Sequence, residues 1–147
     1  METKLQRFGA TPNPAKKYTH RPGVYAILPL ADGILTTFQA GIHNEYQLPG
    51  GGVDPGEQPI RALHREVLEE TGWRIMRPRV FFRFKRFVFM PEYDLWAEKI
   101  CTVYTAQPVM RRSAPIEENH FPIVLNVEEA LSLLAVSGDR YAVSLFF

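Results

Sequence analysis

The segment REVLEETG, residues 65–72, gathers Glu66, Glu69 and Glu70 within five positions, immediately before a glycine. If it is the end of a helix, the placement is unfavourable. The C-terminal end of the helix dipole is negative, and each carboxylate there costs up to about 1 kcal/mol at an exposed site. Glu66 and Glu70 stand at i,i+4 and repel by a few tenths of a kcal/mol more. At 100° per residue the three side chains fall within an arc of roughly 100°, so they share one face. Arg65, four residues before Glu69, offsets part of the repulsion, but one cation does not balance three anions. A hard divalent cation does. Mg²⁺ takes a small number of carboxylates, keeps several waters and completes its shell with substrate phosphate oxygens. The cluster is the kind of incomplete oxygen site that such an ion needs.

The neighbouring elements must position that patch. Pro55 and Gly56 mark a turn, and Pro59 suits a first helical turn, where its missing N–H costs little. Ile60, Leu63 and Val67 follow at i, i+3, i+7, an apolar stripe for the core, and Gly72 suits the left-handed residue that ends a helix. The preceding PGGGVDPGE reads as a glycine loop. In it Gly50, Gly51 and Gly52 allow close backbone approach, with carbonyls for a metal or N–H groups for a phosphate. Residues 23–30 and 33–40 read as strands joined by the turn ADG. Residues 79–90 and 95–110, rich in aromatic and branched side chains, read as further strands. NVEEALSLLAV carries Asn126 and Glu129 in capping-box spacing and reads as a second helix. SGDRYAVSLFF fits a strand or a short helix. The sum is a mixed sheet with about two helices, of α/β or α+β type, in one domain over 1–147. Residues 1–20, polar and carrying Pro12 and Pro14, read as an extended arm.

These spacings resemble the Nudix box, G-x5-E-x7-R-E-U-x-E-E-x-G-U with U a bulky apolar residue. Here it is Gly51, Glu57, Arg65, Glu66, Val67, Glu69, Glu70, Gly72 and Trp73, with every interval kept. The order of the flanking segments is similar as well: a strand pair, LPGG, the box, more strands, then a late acidic segment before a final helix. The resemblance to the Nudix (MutT-like) hydrolases implies an α/β/α sandwich on a mixed sheet, with the box as loop–helix–loop. It implies hydrolysis of a pyrophosphate bond in a nucleoside diphosphate linked to another group, such as a nucleoside triphosphate, ADP-ribose or a nucleotide sugar. Water activated by Mg²⁺ or Mn²⁺ would attack phosphorus. On the same ground Glu66, Glu69, Glu70 and the Gly50 carbonyl are implied metal ligands, Arg65 the residue that orients the glutamates, and Glu57 an auxiliary acid or a structural partner. The resemblance leaves the proton acceptor open between Glu70 and a carboxylate outside the box. Dimers are common among relatives, so a homodimer is admitted. A Nudix-fold module that binds nucleotide without turnover is the alternative, although such modules usually lose box glutamates and none is missing here.

Other candidates lie outside the box. PIEENHF, residues 115–121, offers Glu117 and Glu118 as an additional base or metal ligand, with His120 more suited to packing or substrate contact than to a hard cation. FFRFKRF interleaves aromatics with Arg83 and Lys85, which suits either base stacking and phosphate contact or a half-buried strand. Arg21, Lys16 and Lys17 are further phosphate contacts to consider, and Tyr93 and Trp96 could flank a base. His20, His43 and His64 read as surface residues. Among 147 residues the charged fraction is 22% and the formal net charge +1, which gives no bulk attraction to a nucleic acid polymer or a membrane surface. The expected partner is a small nucleotide-type molecule. A single cysteine, Cys101, excludes an internal disulfide and reads as a buried, inert thiol. The start of the chain lacks the apolar core of a signal peptide, and no run reaches a membrane span, so a cytoplasmic protein is expected.

Overall fold

The computed structural model describes residues 5–147. A mixed sheet of five strands forms the centre: β1 (Gln6–Arg7), β7 (Trp73–Met90), β8 (Leu95–Arg111), β2 (Thr19–Ile27) and β6 (Gly50–Gly52), in that spatial order. β7 and β8 run antiparallel, β8 and β2 parallel, and β2 and β6 antiparallel. A smaller antiparallel sheet holds β3 (Pro29–Leu30), β4 (Gly33–Gln39), β5 (Glu45–Gln47) and β9 (His120–Leu125). Three helices complete the fold, α1 (Pro59–Thr71), α2 (Val127–Leu133) and α3 (Ser137–Phe146), one more than the sequence pattern indicates.

Strand alternation divides the core into two layers. Val24, Ala26, Tyr104 and Ala106 face Ala62, Leu63 and Val67 of α1, while Ile27, Phe84, Cys101 and Val103 face α2 and α3 through Ala130, Leu134, Ala142 and Val143. Helices therefore cover both faces of the central sheet. Among the described residues no helix is long and apolar enough to cross a membrane.

Several local expectations are corrected by this packing. The stretch 23–30 is two strands in two sheets, divided at Leu28, because Pro29 has no N–H with which to continue the ladder. The glycines at 50–52 are an edge strand on β2, not a free loop. Ile60 lies outside the apolar stripe of α1 and is exposed, whereas Glu70 is buried with Leu63 and Val67. The ambiguous C-terminal segment is helical. Of the N-terminal arm, Gln6–Arg7 pairs with β7, and Phe8 packs edge-on against Phe82 and Phe84; residues 1–4 lie outside the described residues. The helix ends follow the expected chemistry. Gly72 is left-handed (φ 78°), and Asn126 and Glu129 cap α2 reciprocally at 2.8 and 3.0 Å.

Candidate active site

One side chain organises the acidic face of α1. The Arg65 guanidinium donates to both Glu57 oxygens (2.8 and 2.9 Å), to Glu66 (3.0 Å), to Glu69 (3.4 Å) and to the Gly52 carbonyl (3.3 Å). Glu57 also accepts from the Asp54 N–H, and these bonds, Arg65 first, pull its pKa down to about 2. Both Glu57 oxygens are thus committed to Arg65, which fixes the plane of the guanidinium that also bonds Glu66 and Glu69.

Glu66 packs over β6. A Cβ on Gly51 would stand 2.6 Å from the Glu66 carboxyl carbon, so any larger residue would push the carboxylate aside. Burial pushes the Glu66 pKa up to about 7, against the opposing pull of Arg65. Glu70 goes deeper. It is 4% exposed, its Oε1 accepts from the Gly50 N–H at 3.0 Å, and burial raises its pKa well above the carboxylate range.

The fourth carboxylate arrives from the far end of the chain. An α-helix leaves its last carbonyls without intrahelical donors. Here the loop after β8 supplies them: Ile116 and Glu117 N–H donate to the Glu69 carbonyl at 2.9 and 3.0 Å, and Arg112 N–H to the Gly72 carbonyl at 2.7 Å. That docking carries the Glu117 side chain to the cluster. Ligand atoms of Glu66, Glu69 and Glu117 lie within 4.8 Å of one another, as do those of Glu70, Glu117 and His120. His120 is buried, with Nδ1 3.3 Å from the Thr37 hydroxyl and 3.7 Å from Glu70, and burial lowers its pKa. It is therefore a neutral neighbour of Glu70. Glu118 is exposed and belongs to neither group. Four crowded carboxylates, two of them held toward the protonated form by burial and mutual repulsion, are a donor set that fits hard divalent cations.

Glu57, Glu66, Glu70, Glu117 and His120 line one wall of a cleft of about 1390 Å³, while Arg65 and Glu69 stand outside its lining. In its lining His43 and Glu92 pair at 2.7 Å, and the Arg21 guanidinium lies 4.7 Å above the Tyr93 ring. Arg21 and Tyr93 thus line the cleft, whereas Arg83 and Lys85 do not. The alternation of β7 buries Phe84 against α3 and turns Arg83 and Lys85 to the other face, where Arg83 donates to Thr102. The cations that do line the cleft are one register away, Arg86 on β7 and its cross-strand partner Lys99 on β8. Lys16 stacks on Trp96 at 3.5 Å, outside the cleft. Sequence reasoning missed Tyr25, Arg86, Lys99 and Asp139. A signal existed for Lys99, which shares its strand parity with buried Ala97, Cys101 and Val103. Asp139 likewise shares a helix face with buried Ala142 and Val143.

A family model described as the NUDIX domain matches residues 19–146. RNA pyrophosphohydrolase of Helicobacter pylori (strain ATCC 700392 / 26695) is 45% identical over 62 residues, 39% of this chain and 39% of that protein. RNA pyrophosphohydrolase of Sulfurovum sp. (strain NBC37-1) is 39% identical over 61 residues, 38% of this chain and 39% of that protein. The matched stretch thus spans about two fifths of the length of these curated relatives. A NUDIX hydrolase from Nitrosomonas europaea superposes with a TM-score of 0.71 at 17% identity, over 87% of this chain and 88% of the other. The MutT protein from Methanosarcina mazei Go1 gives 0.69 at 20% identity, over 88% and 94%. At these identities the structures show a shared fold.

Proposed function

The chain belongs to the Nudix family, and from that premise we propose that it hydrolyses a pyrophosphate bond in a nucleoside diphosphate linked to a further group, with Mg²⁺ or Mn²⁺ as cofactor. The observation that carries this reading is the convergence of Glu66, Glu69, Glu70 and Glu117 in two clusters that share Glu117, with Glu66, Glu70 and Glu117 lining a cleft large enough for a nucleotide. Glu66, Glu69 and Glu117 would hold the cation, joined by Glu70 and the Gly50 carbonyl. A bound divalent cation supplies positive charge against the diphosphate oxygens and lowers the pKa of water. The protein's own part is positional. Arg65, locked by Glu57, keeps Glu66 and Glu69 beside Glu117, and the Gly50 N–H fixes one oxygen of Glu70. The other Glu70 oxygen, beside neutral His120, or the exposed Glu117 carboxylate accepts the proton of the attacking water as the anhydride P–O bond breaks.

The test is a metal-supplemented screen of nucleoside triphosphates, ADP-ribose, nucleotide sugars and dinucleoside polyphosphates, read as released phosphate, pyrophosphate or nucleoside monophosphate. Turnover that disappears on chelation supports the reading. Saturable nucleotide binding without cleavage in either metal would overturn it in favour of a binding module. A second reading is favoured by the relatives' name. RNA itself would be the group carrying the pyrophosphate, which chemistry restricts to a chain end because internal linkages are monophosphate diesters. A 5′-triphosphorylated oligoribonucleotide belongs in the same screen.

A further inference from the structure

The inner end of the cleft carries charge that the metal site does not use. Arg86 and Lys99 stand side by side on β7 and β8, and Lys99 Nζ lies 5.7 Å from the Tyr25 ring centroid. Above them comes the first turn of α3. A Cβ on Gly138 would stand 2.3 Å from the Phe84 ring, so glycine there lets the helix press onto the sheet. The next residue, Asp139, thereby enters the cleft lining at only 4% exposure. Among the described residues nothing hydrogen-bonds its carboxylate, and no cation lies within ion-pair distance. Yet no fully enclosed side-chain oxygen or nitrogen lacks a partner, so the Asp139 oxygens must reach the space of the cleft.

A buried carboxylate and two cations that face one cavity are costly to maintain, because each is partly stripped of water and neither cation pairs with the carboxylate, Lys99 having the Tyr25 hydroxyl as its near partner. What relieves all three is a ligand edge that donates to the carboxylate and accepts from the cations. Building on the proposed function, we propose that this inner end is the base subsite, and that it selects nucleobases with a lactam edge, a carbonyl beside a ring N–H, as in guanine and uracil. The carbonyl faces Arg86 and Lys99, and the N–H faces Asp139. Adenine presents a ring nitrogen acceptor beside an amino donor and has no carbonyl for the cations. Guanine adds an amino group next to its ring N–H, which engages the second carboxylate oxygen.

The preference should follow proton loss from Asp139. Burial raises its pKa to about 7, opposed by Arg86, Lys99 and Arg140 and reinforced by Glu45. The neighbouring Cys101 thiol, pushed by burial up to about 12, stays neutral throughout.

The experiment measures binding of GMP, UMP, AMP and CMP without divalent cation at pH 8 and pH 6, beside kcat/KM for the four triphosphates with Mg²⁺. The expected result is binding of GMP and UMP at least about 5-fold tighter than AMP at pH 8. That ratio should narrow at pH 6 and fall toward 1 in Asp139→Asn and in Lys99→Met. Asp139→Asn should melt no lower than the wild type at pH 8, which separates a lost contact from a lost fold. Equal binding of the four monophosphates by the wild type, or an unchanged ratio in both variants, overturns the base subsite. Because binding is read without turnover, selective binding with no hydrolysis would count against the proposed function alone.

Discussion

The two ends of the cleft differ in how they are built. The acidic wall is mostly local: Glu57, Arg65, Glu66, Glu69 and Glu70 lie within fourteen consecutive positions, on one helix and its approach loop, and only Glu117 joins them from afar. The inner end draws Tyr25, Arg86, Lys99 and Asp139 from β2, β7, β8 and α3. At the wall, charges pair closely around one guanidinium at 2.8–3.4 Å, leaving an excess of carboxylate for a cation. At the inner end, opposite charges are held apart and leave room for a ligand. The contrast teaches that chemistry common to a family can be carried by a short run of residues. Recognition of the particular substrate needs distant strands to meet in register.

The largest expected effect tests the wall. Glu66→Gln and Glu69→Gln should each lower kcat by about 10²-fold or more while the circular dichroism spectrum and melting temperature stay near wild type. Undiminished turnover in both would remove the metal-site assignment. Next comes the clamp. Arg65→Ala should weaken Mn²⁺ affinity about 10–100-fold by titration calorimetry, and Glu57→Gln should do so by less, because Glu57 acts through Arg65. An equal or larger loss from Glu57→Gln would make it a direct participant and blur the division drawn here.

Smaller effects come from protons. Glu66 and Asp139 both titrate near 7 in the fold because burial disfavours their charged forms. An unfolded chain would titrate them in the usual carboxylate range, so the folded state binds protons more tightly. The stability they contribute is full below about pH 4 and is lost as pH rises through about 7. Metal-free protein should therefore be more stable at pH 5.5 than at pH 8, by on the order of 1–3 kcal/mol in urea denaturation. Added Mn²⁺ should narrow that gap by stabilising charged Glu66 at pH 8, and Asp139→Asn should narrow it independently. A gap that both leave untouched would show that neither end is strained. The smallest effect concerns Cys101, whose thiol is buried and raised to about 12. It should react with a thiol reagent at pH 8 only on the timescale of global unfolding, measured by absorbance in native buffer and in urea.

Much of the wall was legible because its logic is one-dimensional. Helical spacing puts Glu66, Glu69 and Glu70 on a common face, and Gly72 marks where the helix stops. Legibility ended where depth mattered. Spacing could not show that Glu70 is buried against Gly50, or that Ile60 is exposed while Ala62 packs in the core. For the pair Glu117 and Glu118, adjacent and chemically alike, only the docking of Ile116 and Glu117 N–H onto the end of α1 distinguishes them. Arg83 and Lys85 mark the other limit. Alternation tells which strand residues share a face, but the face that meets the cleft is set by which parity buries Phe84.

The sequence by itself determined the helix, its caps, the cluster of like charges and the arginine that restrains it, because these depend on backbone periodicity and on neighbours within about two turns. Tertiary structure alone decided which carboxylates lose water, which late-chain glutamate joins them, and which cations meet Asp139 across the cleft. Burial and electrostatic strain arise only when segments far apart in the chain exclude solvent from one another, and no local spacing encodes that exclusion.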